Sequence, residues 1–191
     1  MSTRCVTDSE LVERARSGDA AAFGELMVRH GPAVYRAALA VLGAPAEAED
    51  VSQEAFVQAF WKLKDFRGDA SFKTWVVGIA WRRALTERRN LLRRLRQLSG
   101  LGDRSIREPL AQGSSAEQDV IASELQRDLK RLIRSLPSRL RDPFLLAATG
   151  HHSYQELAVI LGVPNGTLKW RISEARRMLK EKLAKLGYSN E

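Results

Sequence analysis

The sequence of 191 residues contains one cysteine, Cys5, and three histidines. A single cysteine excludes an intrachain disulfide and any zinc site that uses several cysteines. The histidines, His30, His151 and His152, do not fall at ligand spacing with a carboxylate partner on one helix face. Metal sites depend on such spacing. We therefore expect neither a metal site nor a cofactor.

Long apolar segments are also missing. No charge-free segment approaches the ~20 residues that an α-helix needs to cross a bilayer. The N-terminal segment Met1–Glu10 reaches acidic residues at once and lacks the apolar run of a signal peptide. We expect a cytoplasmic protein that does not insert into a membrane.

The sequence also lacks the common motifs of catalytic sites. It has no glycine-rich phosphate loop, and its serine, histidine and aspartate residues do not follow the order of a catalytic triad. The paired acids Glu49 and Asp50 fall in the first turn of a predicted helix, where carboxylates interact favourably with the helix dipole. These features argue against an enzyme.

Positive charge is concentrated in two segments. Residues 82–107 contain nine basic and two acidic residues, a net charge of +7, and residues 165–185 contain seven and two, a net charge of +5. The remainder of the chain has a net charge of −4. Two basic surfaces on a mildly acidic body are typical of a protein that binds nucleic acid.

Nearly every segment has the apolar periodicity of a helix, and none alternates as a half-buried strand does. We therefore predict an all-α fold. Capping signals and prolines set the predicted bounds. The predicted helices run from Thr7 to about Arg16, Asp19 to about His30, Pro32 to Gly43, Ala46 to Lys64, Ser71 to Leu98, Ala116 to Ser135, Asp142 to Gly150, Ser153 to Leu161, and from Pro164 onward.

One long segment, 99–115, is non-periodic and rich in glycine and serine. A connection of that length inside one compact domain is unusual. We predict two helical domains, residues 1–98 and 116–191, joined by a flexible linker over residues 99–115.

The C-terminal domain ends in the pattern of a helix-turn-helix. A capping box, Ser153 with Glu156, opens a short helix, Gly162 and Pro164 break it, and a long basic helix follows. On that helix Leu168, Ile172, Ala175 and Leu179 are expected to face the core. Its candidate DNA contacts are Asn165, Thr167, Lys169, Trp170, Arg171, Arg176 and Arg177.

Both halves resemble the extracytoplasmic-function (ECF) class of bacterial RNA polymerase sigma factors. The resemblance is carried by six segments in order. They are Asp19–Phe23, Ala48–Phe56, Phe66–Ala80, Leu136–Pro137, Ser153–Ala158 and Leu161–Arg171. The resemblance implies that the protein is a promoter-specificity subunit, which binds core RNA polymerase and promoter DNA. It also implies that an anti-sigma factor controls the protein.

The resemblance also implies roles for single residues. The polymerase-binding set on the fourth predicted helix is Asp50, Gln53, Glu54, Phe56, Gln58 and Lys62. The set for recognition and melting of the minus-10 element is Arg67, Asp69, Ser71, Lys73, Arg82, Arg83 and Thr86. Phe72, Trp75 and Trp81 offer rings on which a flipped base can stack, although Trp75, in the repeated Thr-Trp pair of the family, is expected to belong to the core. The resemblance assigns recognition of the minus-35 element to the helix-turn-helix. Whether Phe56 or Phe60 belongs to the core stays open.

The chain departs from the family pattern at four positions. Arg82 replaces a usual asparagine, Thr86 a frequent aspartate, Trp170 a small serine, and Glu174 a basic residue. The minus-10 base preference therefore cannot be transferred from relatives. The Trp170 indole suits either a thymine methyl or sugar, or a partner protein.

A different class of protein also fits part of the sequence. A stand-alone regulator with a helical sensory domain and a C-terminal helix-turn-helix would bind duplex DNA without polymerase. It would need a ligand pocket in the first half. The basic segment 82–96 and the loop before it argue against that alternative.

Overall fold

A computed structural model describes residues 6–99 and 120–188. Those residues form helices and no strand, which confirms the all-α prediction. The elements are α1 Asp8–Arg16, α2 Ala20–Leu42, α3 Pro45–Trp61, a 3-10 helix Leu63–Asp65, α4 Phe72–Ser99, α5 Val120–Arg134, α6 Ser138–Ala148, α7 Tyr154–Leu161 and α8 Asn165–Lys185.

The chain divides into two compact units, with α1–α4 in the first and α5–α8 in the second. Of the predicted linker, Ser99 is the last residue of α4, and the rest lies outside the described residues. The flexible linker and the exact domain limits therefore stay predictions.

One predicted break is wrong, because α2 continues through Pro32. A proline inside a helix removes one backbone hydrogen bond. Here the carbonyl that loses its donor belongs to Val28, whose side chain is among the most exposed of the helix. Burial of Leu26 and Val34 on the two sides of Pro32 keeps the helix together.

The predicted start of α6 is also wrong. The helix begins at Ser138, and Pro143 lies inside it, not in its first turn. The early start buries Leu140 against Leu136 in the core of the second unit. Asp142 therefore does not cap the helix, and its carboxylate instead lies 3.4 Å from Nε of the buried Arg141.

The predicted caps of three other helices are confirmed. Thr7 and Glu10 form a capping box on α1, and Ser153 and Glu156 form one on α7. Asp19 caps α2, accepting a hydrogen bond from the backbone N–H of Ala22 at 3.1 Å. The Arg14 guanidinium also donates to this carboxylate and holds the pKa of Asp19 below its usual value.

A cluster of aromatic rings joins the elements of the first unit. Phe23 of α2 packs edge-on against Phe60 of α3, with ring centroids 5.1 Å apart, and against Phe72 of α4 at 6.4 Å. Phe66, just after the 3-10 helix, packs against Phe72 at 5.9 Å and Trp75 at 5.0 Å. Each such pair contributes about 0.5–1.5 kcal/mol beyond the area that it buries.

The second unit is built on α8. Its predicted core residues are all buried, namely Leu168, Ile172, Ala175 and Leu179. Gly162 ends α7 in the left-handed conformation, with φ of 64°, which lets the chain turn sharply from α7 into α8. The helix-turn-helix is thus formed as predicted, with α7 and α8 packed together.

Two tryptophans of the first unit provide a test of this packing. Trp81 is 1% exposed and Trp61 is 77% exposed. We expect Trp81→Ala to lower the free energy of unfolding by about 3–5 kcal/mol, since it empties a large core position. Trp61→Ala, as the matched control, should change it by about 0.5 kcal/mol or less. Urea unfolding followed by circular dichroism measures both, and equal effects would contradict the described core.

Candidate functional site

An open groove of about 560 Å³ lies between α3 and α4 on the surface of the first unit. We call it the α3–α4 groove. Its lining residues are Asp50, Gln53, Glu54, Val57, Gln58, Trp61 and Arg83. Four of the six residues of the predicted polymerase-binding set, Asp50, Gln53, Glu54 and Gln58, thus lie together on one surface.

The inclusion of Phe56 in the polymerase-binding set is wrong. Its side chain is 4% exposed and lies in the core, so it offers no surface to a partner. The exposed aromatic rings of α3 are Phe60 and Trp61. Lys62, the last member of the set, is exposed at the end of α3 but does not line the groove.

The sequence interpretation missed Val57 and Trp61, because it counted them with the apolar residues of the helix. Val57 is 57% exposed and, like Trp61, lines the groove. The spacing could have indicated this position. Val57 and Trp61 are four residues apart and so share a helix face, and this face differs from the buried one, which carries Ala48, Val51, Ala55 and Ala59.

Arg83 belongs to the groove as well. Its Nε and Nη2 atoms both lie 2.6 Å from one carboxylate oxygen of Glu54, and both side chains are about half exposed. Sequence reasoning assigned Arg83 to the DNA surface together with Arg82. Consecutive residues of a helix point about 100° apart. Arg82 and Arg83 therefore lie on different faces of α4.

Arg82 lies on another face of α4, with Thr86 and Arg89 on the following turns. Its guanidinium folds over Gly78, where a Cβ would be only 3.4 Å from Nη1. The Thr86 hydroxyl donates to the carbonyl of Arg82 at 3.0 Å. With that hydroxyl turned to the backbone, the face presents mainly guanidinium groups to solvent.

The loop before α4 holds the other predicted minus-10 residues. Arg67, Asp69 and Ser71 are exposed, and Lys73 is half-buried at the start of the helix. The Ser71 hydroxyl accepts a hydrogen bond from the Thr74 backbone N–H at 3.1 Å and lies 2.8 Å from the Thr74 hydroxyl. Ser71 therefore caps α4 and anchors the loop.

Two of the three rings proposed for base stacking are in the core. Phe72 and Trp81 are buried, so neither face of their rings is available to a base. Trp75 is half-buried, and its ring packs at 5.0 Å from Phe66. Of the three, only Trp75 retains accessible surface beside the loop.

Arg16 of α1 is a further residue that sequence reasoning missed. Its Nε donates to the carbonyl of Leu63 at 3.2 Å, and its Nη2 donates to the carbonyl of Phe66. The guanidinium carbon also lies 6.0 Å from the centroid of the Phe66 ring. Arg16 therefore holds the backbone that leads into the loop. No local pattern signals it, because its partners are 47 and 50 residues away.

The surface of α8 divides into three faces. Lys169 and Arg176 are exposed on one flank, and Thr167 and Arg171 are half-buried on the other. Between them, opposite the buried row, lie Trp170 and, two turns on, Arg177. Asn165 is half-buried at the first turn.

Arg177 is held by two carboxylates of its own helix. Its Nε and Nη2 bond the Glu174 carboxylate at 2.9 and 2.6 Å, and its Nη1 bonds Glu181 at 2.5 Å. The hydrogen bonds with Glu174 lower the pKa of that carboxyl and raise the pKa of Arg177. This Glu174–Arg177–Glu181 trio carries one net negative charge, which weakens the basic character of the middle of α8.

Within residues 6–99 and 120–188, no three side chains of the metal-binding types converge on a point. No helix there is long and apolar enough to cross a membrane.

Comparison with known proteins identifies the family. The Sigma-70 region 2 family matches residues 26–95, and the Sigma-70 region 4 family matches residues 126–179. The chain is 35% identical over 190 residues to the ECF RNA polymerase sigma-E factor of Escherichia coli K12, covering 95% of this chain and 96% of that protein. This chain belongs to the ECF sigma factors.

Other relatives agree with that assignment. The RNA polymerase sigma-H factor of Pseudomonas aeruginosa is 30% identical over 190 residues, covering 94% of this sigma factor and 95% of its relative. These matches confirm the resemblance, and they leave the alternative of a stand-alone regulator without support.

Two solved structures are similar to this sigma factor. CnrH, in complex with the cytosolic domain of CnrY, has a TM-score of 0.66 and 27% identity, covering 93% of this chain and 97% of that one. RpoE of Bartonella quintana, in complex with the anti-sigma factor NepR, has a TM-score of 0.61 and 25% identity, covering 85% and 96%.

The role of Arg16 can be tested by limited proteolysis. A lysine cannot reach both carbonyl groups with fixed geometry, since it lacks the guanidinium fork. We expect Arg16→Lys to speed tryptic cleavage after Arg67 several-fold, measured by mass spectrometry of the peptides. Arg14→Lys, which changes a neighbouring arginine paired with Asp19, is the control and should leave cleavage there unchanged. Equal rates in both variants would remove Arg16 from the support of the loop.

Proposed function

We propose that this sigma factor is a promoter-specificity subunit of RNA polymerase, acting in the cytoplasm and without catalysis of its own. Its α3–α4 groove binds core polymerase, the Arg82 face and the loop before α4 engage the minus-10 element, and α8 reads the minus-35 element. The observation that carries the proposal is that the α3–α4 groove and the Arg82 face both include residues of α4, while the second unit ends in the basic second helix of a helix-turn-helix.

The groove has the composition of a protein-docking surface. Val57 and Trp61 give it an exposed apolar floor, and Asp50 and Glu54 give it acidic groups. Tryptophan is among the residues that most often dominate binding energy at protein interfaces. A basic and apolar segment of core polymerase complements such a surface.

The Arg82 face suits a separated DNA strand. The guanidinium groups of Arg82 and Arg89, two turns apart, attract phosphates without base specificity. Arg67 and Asp69 in the adjacent loop are exposed and free to approach a flipped base. Trp75 is the ring that supplies stacking, worth about 1–3 kcal/mol per base.

The second unit supports recognition of duplex DNA. The helix-turn-helix places the N-terminal part of its second helix in the major groove. Lys169 and Arg171, on the two flanks of α8, are placed to contact the strands on either side. Arginine can also form two hydrogen bonds with a guanine edge.

We further propose control by an anti-sigma factor. The two similar solved structures are complexes, and NepR is an anti-sigma factor of its partner. The exposed Val57 and Trp61 would be costly to leave in water, and a partner that covers the α3–α4 groove would also exclude polymerase from it. One surface then accounts for both binding and inhibition.

Reconstitution tests the proposed function directly. Purified protein is mixed with core RNA polymerase and fragmented genomic DNA, and the transcripts are sequenced from their 5′ ends. We expect a set of start sites that share two upstream elements and that are absent without the protein. Identical start sites with and without it would overturn the proposal.

The two neighbouring arginines of α4 separate DNA opening from polymerase binding. Arg82→Glu should abolish run-off transcription and leave the affinity for core polymerase unchanged. Arg83→Glu removes the guanidinium that positions the Glu54 carboxylate, and the new carboxylate pushes Glu54 out of that position. A loss of ~1.4 kcal/mol of contact with polymerase should then weaken core binding about tenfold. Fluorescence anisotropy with labelled protein measures the affinity. If both variants lose polymerase binding, Arg82 belongs to the same interface.

The carboxylates around Arg177 provide a test of the recognition helix. The double variant Glu174→Gln, Glu181→Gln frees the guanidinium for a phosphate. We expect the salt dependence of holoenzyme binding to promoter DNA to steepen by about 0.9 in logarithmic slope. Glu25→Gln, which removes one of the two carboxylate partners of Arg29 in the first unit, is the control and should not change the slope. An unchanged slope in the double variant would mean that Arg177 lies away from the DNA.

A further inference from the structure

Trp170 is the one exposed large apolar side chain of α8, all of whose residues are described. It is 57% exposed, whereas Met178 of the same helix packs partly against the core. More than half of the Trp170 side chain therefore lies in water and does not pack in the core. Its surface is therefore available to a ligand.

The position of Trp170 on the helix points to DNA. It comes two residues after the buried Leu168 and two before the buried Ile172, so its side chain leaves the side of α8 opposite the core. It is also within the second turn of α8, which begins at Asn165. The N-terminal residues of a recognition helix are those that reach base edges.

We propose that Trp170 determines sequence specificity by packing its indole ring on the C5-methyl group of a thymine in the minus-35 element. This inference rests on the proposed function of α8. In the major groove the thymine methyl is the apolar feature of the base edges. The indole has a broad apolar surface and a single N–H donor, so it favours that methyl over the polar edges of the other bases.

The surroundings of Trp170 favour DNA over a protein partner. On α8 its neighbours in sequence are Lys169 and Arg171, and its own face continues into the Glu174–Arg177–Glu181 trio. An apolar docking patch needs a contiguous apolar surface, and α8 provides none. A single apolar side chain with a cation on each side instead suits contact with a base edge, because the bases lie between two phosphate strands.

The trio also limits where bases are read. Because Arg177 is held by two carboxylates, the part of this face that follows Trp170 carries net negative charge and repels phosphates. Base contacts are thereby confined to the N-terminal part of α8, in which Trp170 is the central side chain. A single thymine then carries a large share of the discrimination.

The test begins with selection. Holoenzyme made from core RNA polymerase and the full chain selects promoters from a library in which the minus-35 region is random. Each thymine of the selected element is then replaced by uracil, which removes only the methyl group. We expect uracil at one position to weaken binding about fourfold, the factor for burial of one methyl-sized group. The same replacement should have no effect on holoenzyme that carries Trp170→Ser.

Two variants serve as controls. Trp170→Phe keeps an apolar ring and should retain the uracil effect. Lys169→Ala removes a flanking cation and should weaken binding to all sequences alike, leaving the uracil effect in place. Thermal melting by circular dichroism verifies that each variant is folded.

The outcomes separate this inference from the function on which it rests. If no minus-35 sequence is selected, the proposed function fails. If an element is selected but no thymine is sensitive to uracil, or if Trp170→Ser is as sensitive as the wild type, the thymine contact is overturned. It is overturned as well if Trp170→Ser leaves the selected sequence unchanged and weakens binding to core polymerase instead, since Trp170 would then be a protein contact.

Discussion

The packing of aromatic rings in the first unit is the constraint on which its working surfaces depend. Phe23 and Phe72 join α2 to α4, and Phe60 joins α3 to both through Phe23. Phe66 and Trp75 extend the same cluster to the loop before α4. Trp61 of the groove packs against Phe60 of the cluster at 5.8 Å, and Phe66 of the cluster directly precedes the loop. The geometry of both surfaces is therefore set by a single body of contacts.

The first unit presents two different surfaces along one helix because neighbouring residues of α4 point in different directions around its axis. Arg83 turns toward α3 and pairs with Glu54, while Arg82 turns to a face of guanidinium groups. The surfaces that we propose for polymerase and for DNA are thereby fixed on one rigid element. Arg16 of α1 likewise fixes the loop before α4, because it donates a hydrogen bond to the Leu63 carbonyl in the segment that leads into the loop.

In the second unit, local electrostatics redistribute the charge that the sequence supplies. The segment from Asn165 to Lys185 has seven basic residues, but one of them, Arg177, forms ion pairs with Glu174 and Glu181. The exposed indole of Trp170 then stands at the centre of the face that remains. The number of basic residues indicates nucleic-acid binding, and we propose that the ion pairs of Arg177 limit which part of the helix contacts DNA.

The sequence by itself determined the helical class, the caps and the helix-turn-helix, because capping boxes, the Gly162 turn and the buried row of α8 depend on residues close along the chain. Tertiary structure decided what depends on distant partners. It carried α2 through Pro32, placed Phe56, Phe72 and Trp81 in the core, exposed Trp61, and assigned Arg83 to the groove. Helical periodicity shows that a side chain shares a face with others, but only the packing of a second helix shows whether that face is covered.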